Sequence, residues 1–117
     1  MKKLLSIFIF TASFVVLACT GNKNSAVEMT AHVWGNCDKC KAAIEKSSSI
    51  DGVLEANWNE DSKLLVLKLD TSIVTLNSVL EAVAKSGYDN EKFYADDYAY
   101  NKLPDCCQYD RRPFESK

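Results

Sequence analysis

Three segments of the chain alternate apolar and polar residues with the two-residue period of a β-strand: 27–33, 53–58 and 63–69. In the second segment, the offset between the apolar residues Val53 and Ala56 breaks the alternation, which predicts a β-bulge. Short polar residues separate the second and third segments and predict a hairpin loop.

Two further segments, 37–48 and 75–86, repeat apolar residues at three- and four-residue spacing and are predicted helices. Asn36 is positioned to cap the first helix, and Gly87 ends the second. Residues 89–95 can supply a short edge strand. The order β-α-β-β-α-β predicts an α+β ferredoxin-like sandwich: a four-stranded antiparallel sheet with two helices on one face, followed by a C-terminal tail.

The first 18 residues look like a targeting segment rather than part of the domain. Lys2 and Lys3 form a basic start, residues 4–18 are almost entirely apolar, and Cys19 follows directly. This pattern resembles a bacterial lipoprotein signal, in which cleavage leaves the cysteine as a lipidated N-terminus. The alternative is an ordinary secretory signal with an incidental cysteine. In either case we expect the protein to be exported. The lipoprotein signal further predicts lipid anchoring to a bacterial envelope membrane, facing the periplasm.

Removal of this leader makes the chain more acidic. It takes two of the 14 basic residues, so the formal net charge changes from −2 to −4. An acidic chain without a basic stripe is a poor binder of nucleic acid, and we expect no nucleic-acid partner.

The chain has five cysteines, and two of them stand three positions apart at the start of the first predicted helix. Cys37 and Cys40 would share one face of its first turn, where unpaired N–H groups favour thiolate over thiol. Such a pair is either a soft-metal site or a redox dithiol. Cys106 and Cys107 are adjacent in the tail. They either fold back to add thiol ligands, or they form a vicinal disulfide or a structural bridge to the first pair.

These features resemble the heavy-metal-associated (HMA) domain, a family of copper chaperones, copper-ATPase modules and a mercury-binding protein. The resemblance covers residues 27–95. It rests on the C-x-x-C loop and on the following positions: Ile44, Gly52, Val53, the strand end at residues 65–70 and the helix end at residues 84–88. The family's loop Met is replaced by Trp34-Gly35-Asn36, which bears on loop rigidity more than on metal binding. The Gly-Asn-Cys-x-x-Cys form with a Cys-Cys tail resembles a variant in exported proteins of Bacteroidetes-type bacteria.

The resemblance implies a non-enzymatic protein that binds a metal at Cys37 and Cys40, with Cys106 and Cys107 as further candidate ligands. Cu(I) is the expected ion, with Hg(II), Zn(II) and Cd(II) as alternatives. Two thiolates suit soft ions and leave the metal open to a third ligand, which permits hand-over to a partner's thiolate. In the family, the aromatic residue at Tyr88 approaches the metal loop. Lys85 could offset the charge of a bis-thiolate complex.

The implied partners are a metal-transporting ATPase or another efflux or uptake system in the envelope, the membrane through the lipid anchor, and a second copy through a shared metal ion. Two other readings remain open at this point. One is a thiol–disulfide exchange protein that uses Cys37 and Cys40. The other is a structural module with two disulfides.

The chain therefore divides into four predicted parts. These are a lipoprotein signal peptide (1–18), a lipidated cysteine with a flexible tether (19–26), an HMA domain (27–95) and a Cys-Cys tail (96–117). Four tyrosines are expected to pack this last part onto the domain: Tyr94, Tyr98, Tyr100 and Tyr109.

Overall fold

The computed structural model of the protein describes residues 26–114. The predicted signal peptide and Cys19 lie outside the described residues. Five elements form the domain in the following order: β1 (Ala26–His32), α1 (Asp38–Ser48), β2 (Val53–Trp58), β3 (Leu64–Asp70) and α2 (Leu76–Lys85). The tail adds a short helix, α3 (Asp97–Asn101), and a 3₁₀ turn at Asp105–Cys107. Within this part of the chain, no helix has the length and apolar character needed to cross a membrane.

The three strands form an antiparallel sheet in the order β1-β3-β2. β3 lies in the centre and pairs along its whole length with β1, from Asp70 opposite Ala26 to Leu64 opposite His32. Its pairing with β2 shifts by one residue between Val53 and Glu55, so the predicted bulge is confirmed.

One face of the sheet and the two helices enclose the core. On β3 the alternation is complete, because Leu65, Leu67 and Leu69 are buried while the residues between them are exposed. The core also takes one apolar residue from the centre of α1 and three from α2: Ile44, Val79, Leu80 and Val83. The helix-on-sheet packing confirms the ferredoxin-like class.

The predicted fourth strand is reduced to one bridge between Val33 and Asn90, so the described sheet has three strands. The side chain of Asn90 is buried and folds the chain into a tight turn. Its Oδ1 accepts hydrogen bonds from the backbone N–H of Lys92 (3.1 Å) and Phe93 (2.9 Å), and its Nδ2 donates to the carbonyl of Leu80 (2.8 Å). These local bonds bend the segment away from β1, and strand pairing cannot continue.

The helix ends position the site. α2 begins at the cap Thr75, whose Oγ1 accepts from the backbone N–H of Ser78 (3.2 Å). Gly87, just beyond its end, has a φ of 112°, and a Cβ there would lie 3.0 Å from the carbonyl oxygen of Ala99. At the start of α1, the N-cap position is held by Cys37 rather than by the predicted Asn36. A thiol therefore sits at the positive end of this helix.

Candidate metal centre

Two of the cysteines lie at the start of α1. Cys37 is half-buried at the N-cap, and Cys40 is fully buried one turn later. Their Sγ atoms are 3.7 Å apart, and the Cys40 thiol donates to Oδ1 of Asn36 at 3.1 Å. The three-residue spacing thus places both sulfurs on one side of the first turn, as a helix of 3.6 residues per turn requires.

The tail brings a third sulfur to the same place. Cys107 ends the 3₁₀ turn, is 2% exposed and lies with its Sγ 3.9 Å from that of Cys37. The sulfurs of Cys37, Cys40 and Cys107 all lie within 4.8 Å of one another. Cys106 is exposed and outside this group, although its Sγ is 3.9 Å from that of Cys107. The four described cysteines are free thiols, so no disulfide joins the two pairs there.

The surroundings shift the pKa values of Cys37 and Cys107 in opposite directions. The backbone N–H of Cys40 lowers the pKa of the Cys37 thiol; partial burial opposes this, and the N–H of Lys39 adds to the lowering, so the net pKa is below the ordinary value. Neither N–H closes a capping hydrogen bond of full geometry. Burial, with a smaller effect of Cys40, raises the pKa of Cys107 to about 12. The exposed end of the cluster therefore holds the more acidic thiol.

Tyr88 forms one wall of the cluster. Its side chain is 1% exposed, and its ring stacks on that of Tyr109 with centroids 5.7 Å apart. Burial raises the pKa of Tyr88 far above its usual range, and the neighbouring Cys40 and Cys107 thiols add to the increase. The phenol therefore remains a neutral hydrogen-bonding group beside the sulfurs.

Two other residues, Lys85 and His32, lie away from the cluster. The ammonium of Lys85 is largely exposed and pairs with Glu81 at 3.5 Å. The ring of His32 stacks on that of Trp34, with centroids 3.8 Å apart, and is not grouped with the thiols. The described contacts thus bring Tyr88 to the cluster and leave Lys85 on the outer surface of α2.

The loop before Cys37 is supported by Trp58, the last residue of β2. The fully buried indole donates its N–H to the carbonyl of Val33 at 3.0 Å. A Cβ on Gly35 would lie 3.0 Å from this ring and 3.1 Å from Ile44, so the loop backbone lies directly on both side chains. This contact supports the loop although the family's methionine is absent.

An ion pair between a buried carboxylate and a partly exposed guanidinium fixes the tail to the domain, and the sequence alone did not reveal it. Arg111 binds the carboxylate of Asp89 with two hydrogen bonds, Nε to Oδ2 at 3.0 Å and Nη2 to Oδ1 at 2.8 Å. Burial alone would raise the pKa of Asp89. Arg111 and the backbone N–H groups of Ala95 and Arg112 outweigh burial and hold the pKa below its usual range. The one local signal was an acidic residue at the first position of the predicted edge strand.

Tyr109 makes the second attachment of the tail. Its hydroxyl donates to the carbonyl of Gly87 (2.8 Å) and accepts from the backbone N–H of Asp89 (2.7 Å). The hydroxyl of Tyr100 donates to the backbone carbonyl of Tyr109 at 2.7 Å. We call residues 104–112 the strap, because Cys107 contacts the start of α1 while Tyr109 and Arg111 bind residues 87–89.

Comparison with known proteins places this geometry in a family. The sequence model of the heavy-metal-associated domain matches residues 36–89. The copper chaperone CopZ of Staphylococcus aureus is 33% identical over 55 residues, which are 46% of this chain and 81% of that protein.

Solved structures agree with the sequence comparison. A structure of the CopZ metallochaperone has 30% identity and a TM-score of 0.52, over 55% of this chain and 98% of its own. The solution structure of the putative copper-ion-binding protein from Bacillus anthracis has 28% identity and a TM-score of 0.54, over 56% of this chain and 96% of its own. The strap lies beyond the matched residues 36–89. The chain belongs to the heavy-metal-associated domain family.

Proposed function

We propose that the protein binds a soft metal ion, foremost Cu(I), at Cys37 and Cys40, and carries, buffers or detoxifies it in the cell envelope. The observation that carries the proposal is a cluster of three free thiols, two at the start of α1 and one from the tail, in a domain of this family. Relatives named as copper chaperones support copper as the cargo and a carrier rather than an enzyme as the role.

The donor atoms argue for the class of ion. The cluster contains sulfur alone, without a histidine or carboxylate among its members in the described chain. Thiolates favour Cu(I) and other soft ions, whereas structural Zn(II) takes four ligands. Hg(II) and Cd(II) fit this donor set as substitutes, and Zn(II) fits it least well.

The copper proposal is tested by competition for Cu(I) between the reduced protein and a chromophoric Cu(I) chelator. We expect one ion per chain, with binding lost in the Cys37→Ser/Cys40→Ser variant. The matched control is Cys106→Ser, which removes an exposed thiol outside the cluster and should bind like the wild type. If the wild type fails to compete with the chelator, copper is not the cargo.

The cellular place of the protein is a separate part of the proposal. A basic start, an apolar run and Cys19 support cleavage of residues 1–18 and a lipid anchor facing the periplasm. The partner there would be a metal-transporting ATPase or another efflux or uptake system. Metabolic labelling with a palmitate analogue should mark the protein in the membrane fraction, and Cys19→Ser should abolish the label. A labelled Cys19→Ser variant would contradict the anchor.

One observation favours a second function, thiol–disulfide exchange by Cys37 and Cys40. Their sulfurs are 3.7 Å apart, and the pKa of Cys37 is lowered by the backbone N–H of Cys40, as an attacking thiol requires. The test is the reduction potential of the dithiol in a glutathione buffer, followed by reduction of a disulfide-bonded peptide. Turnover of the peptide that depends on both cysteines would support exchange, and its absence would leave metal binding alone.

A further inference from the structure

We propose that Cys107 is a third ligand of the metal ion, supplied by the strap from outside the matched domain, and that it fills the coordination position a two-thiol loop leaves open. This inference rests on the proposed function at Cys37 and Cys40 and specifies the ligand set of that site.

The sulfur positions fit one ion without rearrangement of the backbone. With metal–thiolate bonds of about 2.3 Å, three sulfurs arranged around one ion in a plane lie about 4 Å from one another. The sulfur of Cys37 lies 3.7 Å from that of Cys40 and 3.9 Å from that of Cys107. All three sulfurs fall within 4.8 Å. Small side-chain rotations would bring them to a common centre.

Cys107 is held in place by contacts on both sides. Its backbone N–H donates to the carbonyl of Pro104 at 2.7 Å, which closes the 3₁₀ turn. Two residues later, Tyr109 is buried and bonded to Gly87 and Asp89. A thiol fixed in this way loses little side-chain freedom when it binds an ion, so the cost of ordering the ligand is already met in the fold.

The neighbouring Cys106 is excluded by the same geometry. Its side chain is exposed, and its backbone carbonyl rather than its sulfur faces the site, at 3.3 Å from Sγ of Cys37. Two adjacent residues of the turn thus point in different directions. Cys106→Ser is therefore a matched control, because it makes the same chemical change one residue away.

The third ligand changes how the ion leaves. In a two-thiol site, a partner's thiolate can bind before either sulfur departs. Here Cys107 already holds that position, so the partner has to displace it, and displacement is favoured when the strap leaves the domain. The attachment of the strap through Asp89, Arg111 and Tyr109 holds Cys107 in this position.

The direct test is Cu K-edge X-ray absorption on the full chain, extracted in detergent, reduced without added thiol and loaded with one equivalent of Cu(I). The monomeric fraction is measured. We expect three sulfurs around copper in the wild type and in Cys106→Ser, and two in Cys107→Ser. Two sulfurs in the wild-type monomer would overturn the proposal, as would three in folded Cys107→Ser or a three-sulfur site confined to a dimer.

The outcome separates this inference from the proposed function. If Cys107 is not a ligand, Cu(I) still binds to the wild type with two sulfurs, and only the inference of a third ligand is wrong. If the chain binds no Cu(I), the function itself fails. Should Cys107→Ser not fold, the wild type and Cys106→Ser still decide the question. Loss of the third sulfur in Cys106→Ser would show that Cys106, and not Cys107, is the third ligand.

A kinetic test addresses release. Transfer of Cu(I) from the loaded chain to a small dithiol chelator is followed by absorbance. We expect Cys107→Ser to transfer copper about 100-fold faster than the wild type, at the low end of the gain from linking two binding groups. Cys106→Ser should match the wild type, and equal rates for all three proteins would overturn the control of release by Cys107.

Discussion

Cys37 and Cys107 show how one small site gives two chemically identical residues different properties. Cys37 stands at a helix N-terminus, where the N–H groups of the first turn stabilise a negative charge. Cys107 is buried against Tyr88, and its hydrogen bond with Tyr88 offsets only part of the loss of hydration. Both become thiolates when a soft ion binds, so the positive charge of the ion stabilises the Cys107 thiolate, which the protein itself does only in part.

The difference predicts an order of reactivity in the reduced, metal-free protein. Because its pKa is lowered, Cys37 should be alkylated by iodoacetamide more rapidly than Cys107 at neutral pH. As the pH is lowered, the alkylation rate of Cys37 should fall only below the pH at which an ordinary thiol becomes protonated. Rates for each site are measured by peptide mass spectrometry between pH 5 and pH 10. An apparent pKa for Cys37 at or above that of a free cysteine would contradict the prediction.

Gly35 illustrates a second effect at the scale of the residue, close backbone packing. Because an added Cβ would meet the Trp58 ring at 3.0 Å and Ile44 at 3.1 Å, Gly35→Ala should lower the free energy of unfolding by about 1–3 kcal/mol. Urea denaturation measures the loss. Lys39→Ala, at an exposed position in the first turn of α1, is the comparison for packing, and an equal effect of both would argue against a steric cause.

At the scale of the element, the strap depends on a single buried carboxylate. Asp89 is inaccessible to solvent and is bonded by the guanidinium of Arg111, which is 27% exposed. Such a pair adds little relative to an apolar contact, but removal of one partner leaves an uncompensated group and is costly. The strap should therefore respond strongly to changes at Asp89.

Asp89→Asn should destabilise the protein by about 2 kcal/mol, below the roughly 3–5 kcal/mol of a fully buried pair, because Arg111 is partly exposed and keeps its ion pair with Asp97. The measurement is urea denaturation at pH 7. The control is Lys85→Gln, which breaks an exposed pair and should change stability by less than about 1 kcal/mol. Similar losses in both variants would show that Asp89 has no special role.

The same carboxylate predicts a pH dependence. Its folded-state pKa is lowered, so the stabilisation is present above the unfolded-state value of about 4 and is lost as the pH falls through the folded-state pKa. Tyrosine signals in near-UV circular dichroism should therefore report loosening of the strap in acid, below pH 4. Asp89→Asn should lack this transition, and its persistence there would assign it to another group.

The sequence predicted those elements whose signals are local. The three strands, the two helices and the bulge follow from periodicity and spacing within a few residues, and the structure confirms them. The prediction of a fourth strand was wrong because the buried side chain of Asn90 forms hydrogen bonds with nearby backbone groups. A pattern of period two does not reveal such bonds. Arg111 was missed because its partner is 22 residues away in the sequence.

The site shows the same limit. The sequence allowed either tail thiol to return to the loop, and local spacing could not distinguish Cys106 from Cys107. The contact with Cys37 spans 70 residues and depends on how the 3₁₀ turn orients two adjacent side chains. Which sulfur faces the cluster is therefore a property of the folded tail.

At the scale of the whole molecule, a small sandwich and a tail share one core. The leucines of β3 and the apolar residues of the helices form its centre, and Cys107 and Tyr109 join it from the tail. The sheet and helices make most of these contacts without the tail. We therefore expect the domain to fold when the tail is absent.

Ending the chain after Ala95 tests this division. The shortened protein should retain its secondary structure by far-UV circular dichroism and lose at least about 3 kcal/mol of stability in urea. Burial of Tyr109 alone contributes roughly 1.5–3 kcal/mol, and Asp89 also loses its partner Arg111. A matched variant that ends after Pro113 keeps the strap and should lose little. An unfolded chain in the first case would show that the tail is an obligatory part of the domain.

The exposed thiol of Cys106 offers a built-in attachment point for an optical reporter. When the ion occupies the site, Cys37, Cys40 and Cys107 would be shielded, and Cys106 would remain the accessible thiol among the described residues. A fluorescent dye attached to Cys106 of the loaded protein would then lie next to Cys107, the ligand from the strap. Its emission would change when the strap moves, so metal release could be observed in real time and in single molecules.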